Sequence, residues 1–317
     1  MKGKIRGALI LILYLAGVGI FAVPDLYHLA NKLENRKVYR EFEENARKAS
    51  EENGGTGVSA EDSSDTDGEK FTRLYEQMTA YNENIFANHQ AELSDPWSYE
   101  QSSFDLTEYG MEANVAAVIE IPRMDVELPV YLGATRENME RGAVQLGQTS
   151  LPIGGADTNC VIAAHRGYRG IPMFRDIEAL RPGDEVIVHN FWETLTYEVS
   201  EIQVIYPSDI DKVLIRPGED MVTLLTCHPY TQHTRRYAVF CTRTTGKEAV
   251  SGAETPNDEK AEVSLETAEE ATSEDGDILR REKLLRTAGY GFLAVIGAAI
   301  AGKAIWNRAG RRRRFRK

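Results

Sequence analysis

Two apolar runs, one near each end of the chain, constrain this sequence more than any other feature. Residues 7–23 follow Lys2, Lys4 and Arg6 and stop at Pro24-Asp25, while residues 288–305 precede Arg308 and the basic run 311–317. Each is about as long as the 17–25 residues a helix needs to cross a bilayer. Positive charge flanks the outer side of both, so the positive-inside rule puts both termini in the cytoplasm and everything between them outside. Lys303 lies late enough in its run to reach the interface along its own alkyl stem. The first run also fits a cleavable leader, although no clear small-x-small cleavage site follows it. The second run, ending in basic residues, reads as stop-transfer and not as a lipid-anchor signal.

The exported part carries an acidic balance, with a formal net charge of -12 over 317 residues. That argues against a nucleic-acid partner. The domain plan follows from shifts of texture: 1–25 a membrane anchor or signal-anchor, and 26–70 a charged helix followed by an acidic, Gly- and Ser-rich linker. Residues 71–113 form a helical region in which Leu74, Met78, Tyr81 and Ile85 recur at helical spacing. Residues 246–283 are an acidic spacer, and 284–317 the C-terminal span and tail.

Between 114 and 245 the pattern changes to short runs rich in Val, Ile, Thr and Tyr. They fall at 115–120, 128–132, 160–164, 185–189, 194–205, 221–226 and 236–242, punctuated by turns such as Arg181-Pro182-Gly183-Asp184. Many short strands with few helices predict a mainly β fold, a closed or nearly closed barrel. A short helix is predicted over 136–142 and a further turn over 173–180.

Chemistry concentrates at strand ends. Thr223-Leu224-Leu225-Thr226-Cys227 delivers a thiol, Val161 to His165 delivers an imidazole, and Arg236 stands where the next strand begins. A thiolate is the nucleophilic form of cysteine, an imidazole can move the proton, and a guanidinium can hold a carbonyl or its oxyanion. Residue types alone leave His233 as a rival to His165, and Arg235 as a rival to Arg236. His228 follows Cys227 and faces the other way if the strand continues. Cys160 and Cys241 lie in apolar runs and read as buried small hydrophobes, with a disulfide between them as the alternative.

These motifs, in this order, resemble the sortases, membrane-anchored cysteine transpeptidases, and most closely the pilus-assembling class C. Thr223 to Cys227 is similar to the family's TLxTC motif, Cys227-His228-Pro229-Tyr230 with Thr234-Arg235-Arg236 to its class C extension, and Ala164-His165-Arg166-Gly167 to its histidine segment. The resemblance covers about residues 114–245, and implies a sortase-type closed β-barrel with a few short helices and a span at each end. It selects His165, Cys227 and Arg236 as the catalytic residues. It also implies that Ser94-Asp95-Pro96-Trp97, otherwise a capped turn with an aromatic, is a lid, with Asp95 on Arg236 and Trp97 against Cys227. Thr231 and His233 depart from the Gly and Asn usual in the loop after Tyr230, and Arg235 from the frequent His before the arginine.

What the resemblance implies of function is cleavage of an LPXTG-like sorting signal between Thr and Gly through a thioester, and transfer to a lysine amine of another pilin. Peptidoglycan anchoring, peptidase activity with water as acceptor, and a catalytically silent pilin-binding barrel are the alternatives. No cofactor is implied. Asp209, Asp211, Glu219 and Asp220 could hold calcium but read better as solvated carboxylates.

Overall fold

The computed structural model describes residues 2–54, 68–91, 93–99, 104–111, 113–169, 171–244, 277–303 and 306. The expected linker at 55–67, most of the acidic spacer, and the basic tail at 307–317 lie outside them.

Eight strands close into one barrel: β1 (Val115–Ile121), β2 (Val126–Leu132), β3 (Ala143–Gln145), β4 (Thr158–Ala163), β5 (Glu185–His189), β6 (Thr194–Ile205), β7 (Asp220–His228) and β8 (Arg235–Arg243). Their order around the barrel is β1-β2-β3-β4-β7-β8-β6-β5, and β5 closes on β1. Seven strands match the Val-, Ile- and Tyr-rich runs. The eighth, β3, is a three-residue strand too short to show alternation, and it forms because it fits parallel to β2 and antiparallel to β4.

Two pairings position the site. β4 and β7 run parallel, so both strands end at the same mouth of the barrel. β8 runs antiparallel to β7 and therefore begins there. Alternation along these strands divides their side chains between two apolar clusters. Val222, Leu224, Val239, Cys241, Cys160 and Ile162 belong to one cluster, shared with residues of β5 and β6. Met221, Leu225, Ala238, Phe240, Val161 and Ala163 belong to the other, completed by Val38, Phe42, Phe71, Leu74 and Met78 from outside the barrel. A sheet face that would otherwise be wet is thus covered by helices, which explains why every residue from Met221 to His228 is buried.

The helices are α1 (Lys2–Gly54), α2 (Gly68–Ala87) and α3 (Arg136–Arg141). In α1 the helix runs through Pro24, so the expected division at residue 25 falls inside a helix. Its first part and the C-terminal helix Asp277–Lys303 are each long and apolar enough to cross a membrane. Those two segments form a separate compact unit, 1–30 with 273–317. Within it, Asp25 bonds Arg286 and Tyr290, and the Phe21 ring meets Tyr290 edge-on with centroids 6.0 Å apart.

The three cysteines are free and buried, which removes the Cys160–Cys241 disulfide alternative. Among the carboxylates weighed for calcium, Asp220 differs from the solvated expectation. It accepts hydrogen bonds from Tyr197 Oη and Gly155 N, each at 3.0 Å, and ties the start of β7 to its neighbours. Among the described residues, no group of three or more His, Cys, Asp or Glu is arranged to hold a metal ion.

Candidate active site

Strand register brings the three predicted residues together. Cys227 is the cross-strand partner of Arg236. The β4–β7 ladder ends at Ala163↔Leu225, and two residues further along each chain stand His165 and Cys227. Two contacts carry the pairing past the ladder: Ala164 N donates to Leu225 O at 3.1 Å, and Thr226 Oγ1 donates to Ala164 O at 2.7 Å. By alternation His165, Cys227 and Arg236 share the face of Val161, Leu225 and Ala238. Arg166, His228 and Tyr237 share the opposite face.

Arg235 and His228 are placed away from this face, whereas His233 stays close enough to act on His165. Arg235 is exposed, with its guanidinium 5.1 Å from the Tyr206 ring centroid. His228 has turned away from the Cys227 face, its ring 5.7 Å from that of Tyr237. His233 lies in the loop between β7 and β8, where its carbonyl accepts from Arg236 Nη1 at 3.1 Å.

The Arg236 side chain is engaged on every edge. Nε and Nη2 donate to the two Asp95 oxygens at 2.7 and 2.8 Å, a fork-to-fork pair, and Nη1 donates to the carbonyls of His233 and Arg235. The Trp97 ring stacks on the guanidinium with its centroid 4.5 Å away. Trp97 is therefore found on Arg236, the cross-strand partner of the thiol that the resemblance implied for it. Tyr99, in the same segment, is pushed up by burial, with Arg136 lowering it and the Cys227 thiol raising it.

Local chemistry shapes the segment that brings these groups. Asp95 caps a 3₁₀ turn, Pro96–Ser98, accepting from Trp97 N at 3.3 Å, and Pro at the first position needs no donor partner. Tyr99 closes the turn at φ 58, a left-handed geometry held by Arg136 of α3 at 4.6 Å from its ring. Ser94, Asp95 and Pro96 line a cavity of about 10 Å³ together with Leu146, Ile205, Val213, Leu225 and Arg236.

Comparison with known proteins agrees with this arrangement. A sortase-domain family model matches residues 119–244. A sortase A of Bacillus anthracis is 27% identical over 168 residues, 52% of this chain and 77% of the relative. The structure of a pilus-related sortase C of Group B Streptococcus superposes with a TM-score of 0.54 at 29% identity, over 66% of this chain and 97% of that one. That of Streptococcus agalactiae sortase C1 with MTSET gives 0.51 at 31% identity, over 57% and 93%. The chain belongs to the sortase family.

In this sortase the thiol and imidazole are both held toward their neutral forms. Burial pushes the Cys227 thiol up to about 11, against the lowering field of Arg236 and with a further raising contribution from Asp95; Arg166 also lowers it. Burial pushes His165 below its ordinary value, opposed by Glu140 and assisted by His233. The His165 ring stacks on Tyr168 at 5.1 Å and 17°. With the lid carboxylate on the arginine, the thiolate is disfavoured twice, by desolvation and by a neighbouring negative charge.

Sequence reasoning missed a second group beneath the first. Arg166, Glu178 and His228 are bonded together behind His165 and Cys227. The signal was available: alternation places the residue after each catalytic candidate on the inner face, and two of those residues are Arg and His.

Proposed function

We propose that this sortase is a pilus-assembling cysteine transpeptidase whose site is closed at rest by its lid. The observation that carries the reading is the placement of Cys227, His165 and Arg236 on one face of one barrel mouth, with Asp95 forked onto Arg236. Its nearest supports are the pilus-related titles of structural relatives and the two candidate spans. The reading divides the chain as its sequence suggests, with the catalytic barrel at 114–245. Its membrane topology has both termini in the cytoplasm and the barrel outside.

Chemically, Cys227 passes its thiol proton to His165, and its Sγ attacks the carbonyl carbon of threonine in an LPXTG-like sorting signal. Arg236, released from Asp95, takes the negative charge that develops on the carbonyl oxygen. The carbon–nitrogen bond to glycine breaks, and His165 gives a proton to the departing amine. The resulting thioester is attacked by the neutral ε-amine of a pilin lysine. That forms an isopeptide bond, returns the thiol, and leaves the proton shared between His165 and the thiol. The lid carboxylate occupies the arginine that this substrate would need.

Mass spectrometry of the full chain with a sorting-signal peptide tests the nucleophile. A thioester on Cys227 is expected, and its formation in Cys227→Ala would overturn the assignment. Product analysis with pilin lysine, peptidoglycan cross-bridge amine or water alone separates polymerisation from anchoring and from hydrolysis. Lysine-linked pilin is the expected product.

A further inference from the structure

The loop after β4 and the end of β7 are joined behind the catalytic face through the Arg166 side chain. Arg166 Nη1 lies 2.8 Å from His228 Nδ1 and 3.4 Å from Cys227 O, and Nη2 donates to Glu178 Oε1. The same Glu178 oxygen lies 3.5 Å from His228 Nδ1. The Arg166 side chain is wholly buried, and Glu178 comes from the 3₁₀ turn Ile177–Ala179 in the long β4–β5 connection. Three separated segments therefore meet at one guanidinium.

We propose that Arg166 is a positioning residue for the reaction, fixing the spacing of His165 and Cys227 and supplying positive charge behind the thiol. The proposal rests on the reading of Cys227 as nucleophile.

The argument is geometric. The backbone ladder between β4 and β7 stops at Ala163↔Leu225, short of both reacting side chains. Beyond it the chain turns at Gly167, with φ +89, and the His165 carbonyl accepts from Phe174 N of the same connection at 3.1 Å instead of from β7. Thr226 Oγ1 bonds the residue before His165, and Arg166 bonds the carbonyl of Cys227 itself. Reaction rates are sensitive to displacements of about 1 Å between reacting groups, which makes such a tie matter to turnover. A planar guanidinium suits it, because one rigid fork can serve a carboxylate, an imidazole and a carbonyl together, whereas an ammonium is a point charge on a flexible stem.

The electrostatic part follows from the neighbours of the thiol. The charged groups acting on Cys227 are Arg236 from β8, Asp95 from the lid, and Arg166 from the loop after β4, while Tyr99 of the lid is itself raised by the thiol. Once the lid carboxylate leaves, Arg166 and Arg236 are the positive charges that favour thiolate, one on each side of β7.

The test uses the full chain in detergent, with the parent and all variants in an Asp95→Ala background to open the site. Iodoacetamide labelling of Cys227 is followed against pH by mass spectrometry, and peptide cleavage gives kcat and KM. Arg166→Met is expected to move the labelling midpoint upward by about 0.5–1 pH unit and to lower kcat at least about tenfold with KM unchanged. Arg166→Lys keeps the charge without the fork, so its midpoint stays with the parent while kcat still falls. Removing one member of a buried ion pair can prevent folding, and if Arg166→Met gives no cooperative melt, Arg166→Lys carries the test through its kcat. A parental midpoint and kcat in Arg166→Met, or a parental kcat in Arg166→Lys, would overturn the proposal even if the melting temperature falls. Cleavage surviving in Cys227→Ala would overturn the nucleophile reading and this proposal with it, so the two failures are distinguishable.

Discussion

The strand-end side of the site and the lid side are held in different ways. Cys227 and Arg236 sit on neighbouring strands whose ladder runs in register from Met221↔Thr242 to His228↔Arg235. Displacing either backbone means breaking main-chain hydrogen bonds of the barrel. The lid segment, by contrast, meets Arg236 through side chains: one forked carboxylate and one stacked indole. Two backbone hydrogen bonds of the turn are internal, Ser98 N to Asp95 O and Tyr99 N to Pro96 O, and the proposed opening would leave both intact. On the proposed reading, the reacting groups lie on laddered strands, and the carboxylate that blocks Arg236 lies on a turn that meets it through side chains.

Breaking the fixed side should have the largest effect. Arg236→Ala is expected to lower kcat for a sorting-signal peptide by roughly 100- to 1,000-fold, the usual consequence of losing an oxyanion donor. Steady-state cleavage measures it, and a loss below tenfold would reverse the ranking of the two sides.

Breaking the mobile side should raise reactivity. A charge-assisted pair worth about 1.5–3 kcal/mol corresponds to at least about tenfold more open site, so Asp95→Ala should speed iodoacetamide labelling of Cys227 by that factor or more. The same change should move the labelling midpoint downward, because the carboxylate raises the thiol's pKa. Trp97→Ala removes a contact worth about 0.5–1 kcal/mol, or about two- to fivefold in the same assay. Equal labelling rates in parent and both variants would remove the lid from the account.

A further prediction concerns stability and not turnover, and sharpens the contrast between the rim thiol and the two buried ones. Burial pushes Cys160 and Cys241 well above the ordinary value of 9.0, and Cys227 up to about 11. An acid whose folded pKa is raised deprotonates first in the unfolded chain. Its contribution is therefore complete below about pH 9 and is lost as pH rises toward the folded value, at up to about 1.4 kcal/mol per pH unit for each thiol. The melting temperature should fall between pH 9 and 10.5, and less steeply in Cys241→Ala. His165, lowered by burial, has the opposite window, its contribution being lost as pH falls through about 6.5.

Much of this was legible in the residues. Val- and Ile-rich runs marked seven strands because a strand buried on both faces needs apolar residues at successive positions. β3 escaped because three residues carry no period. Asp95-Pro96-Trp97 was readable as a capped turn, but only the fold brings residue 95 to residue 236. Trp97 illustrates the limit: the resemblance implied a ring against the thiol, and the structure shows one on the guanidinium.

The sequence by itself determined the two apolar runs, the strand-rich middle, and the delivery of His, Cys and Arg to strand ends, since each depends on local composition and alternation. Tertiary structure decided which ends meet, because parallel pairing of β4 with β7 and antiparallel pairing of β7 with β8 bring three distant segments to one mouth. It also decided that Asp95 and Trp97 share Arg236, and that Arg166, Glu178 and His228 gather behind Cys227. Such contacts depend on register and chain path between residues far apart in sequence, which no local pattern encodes.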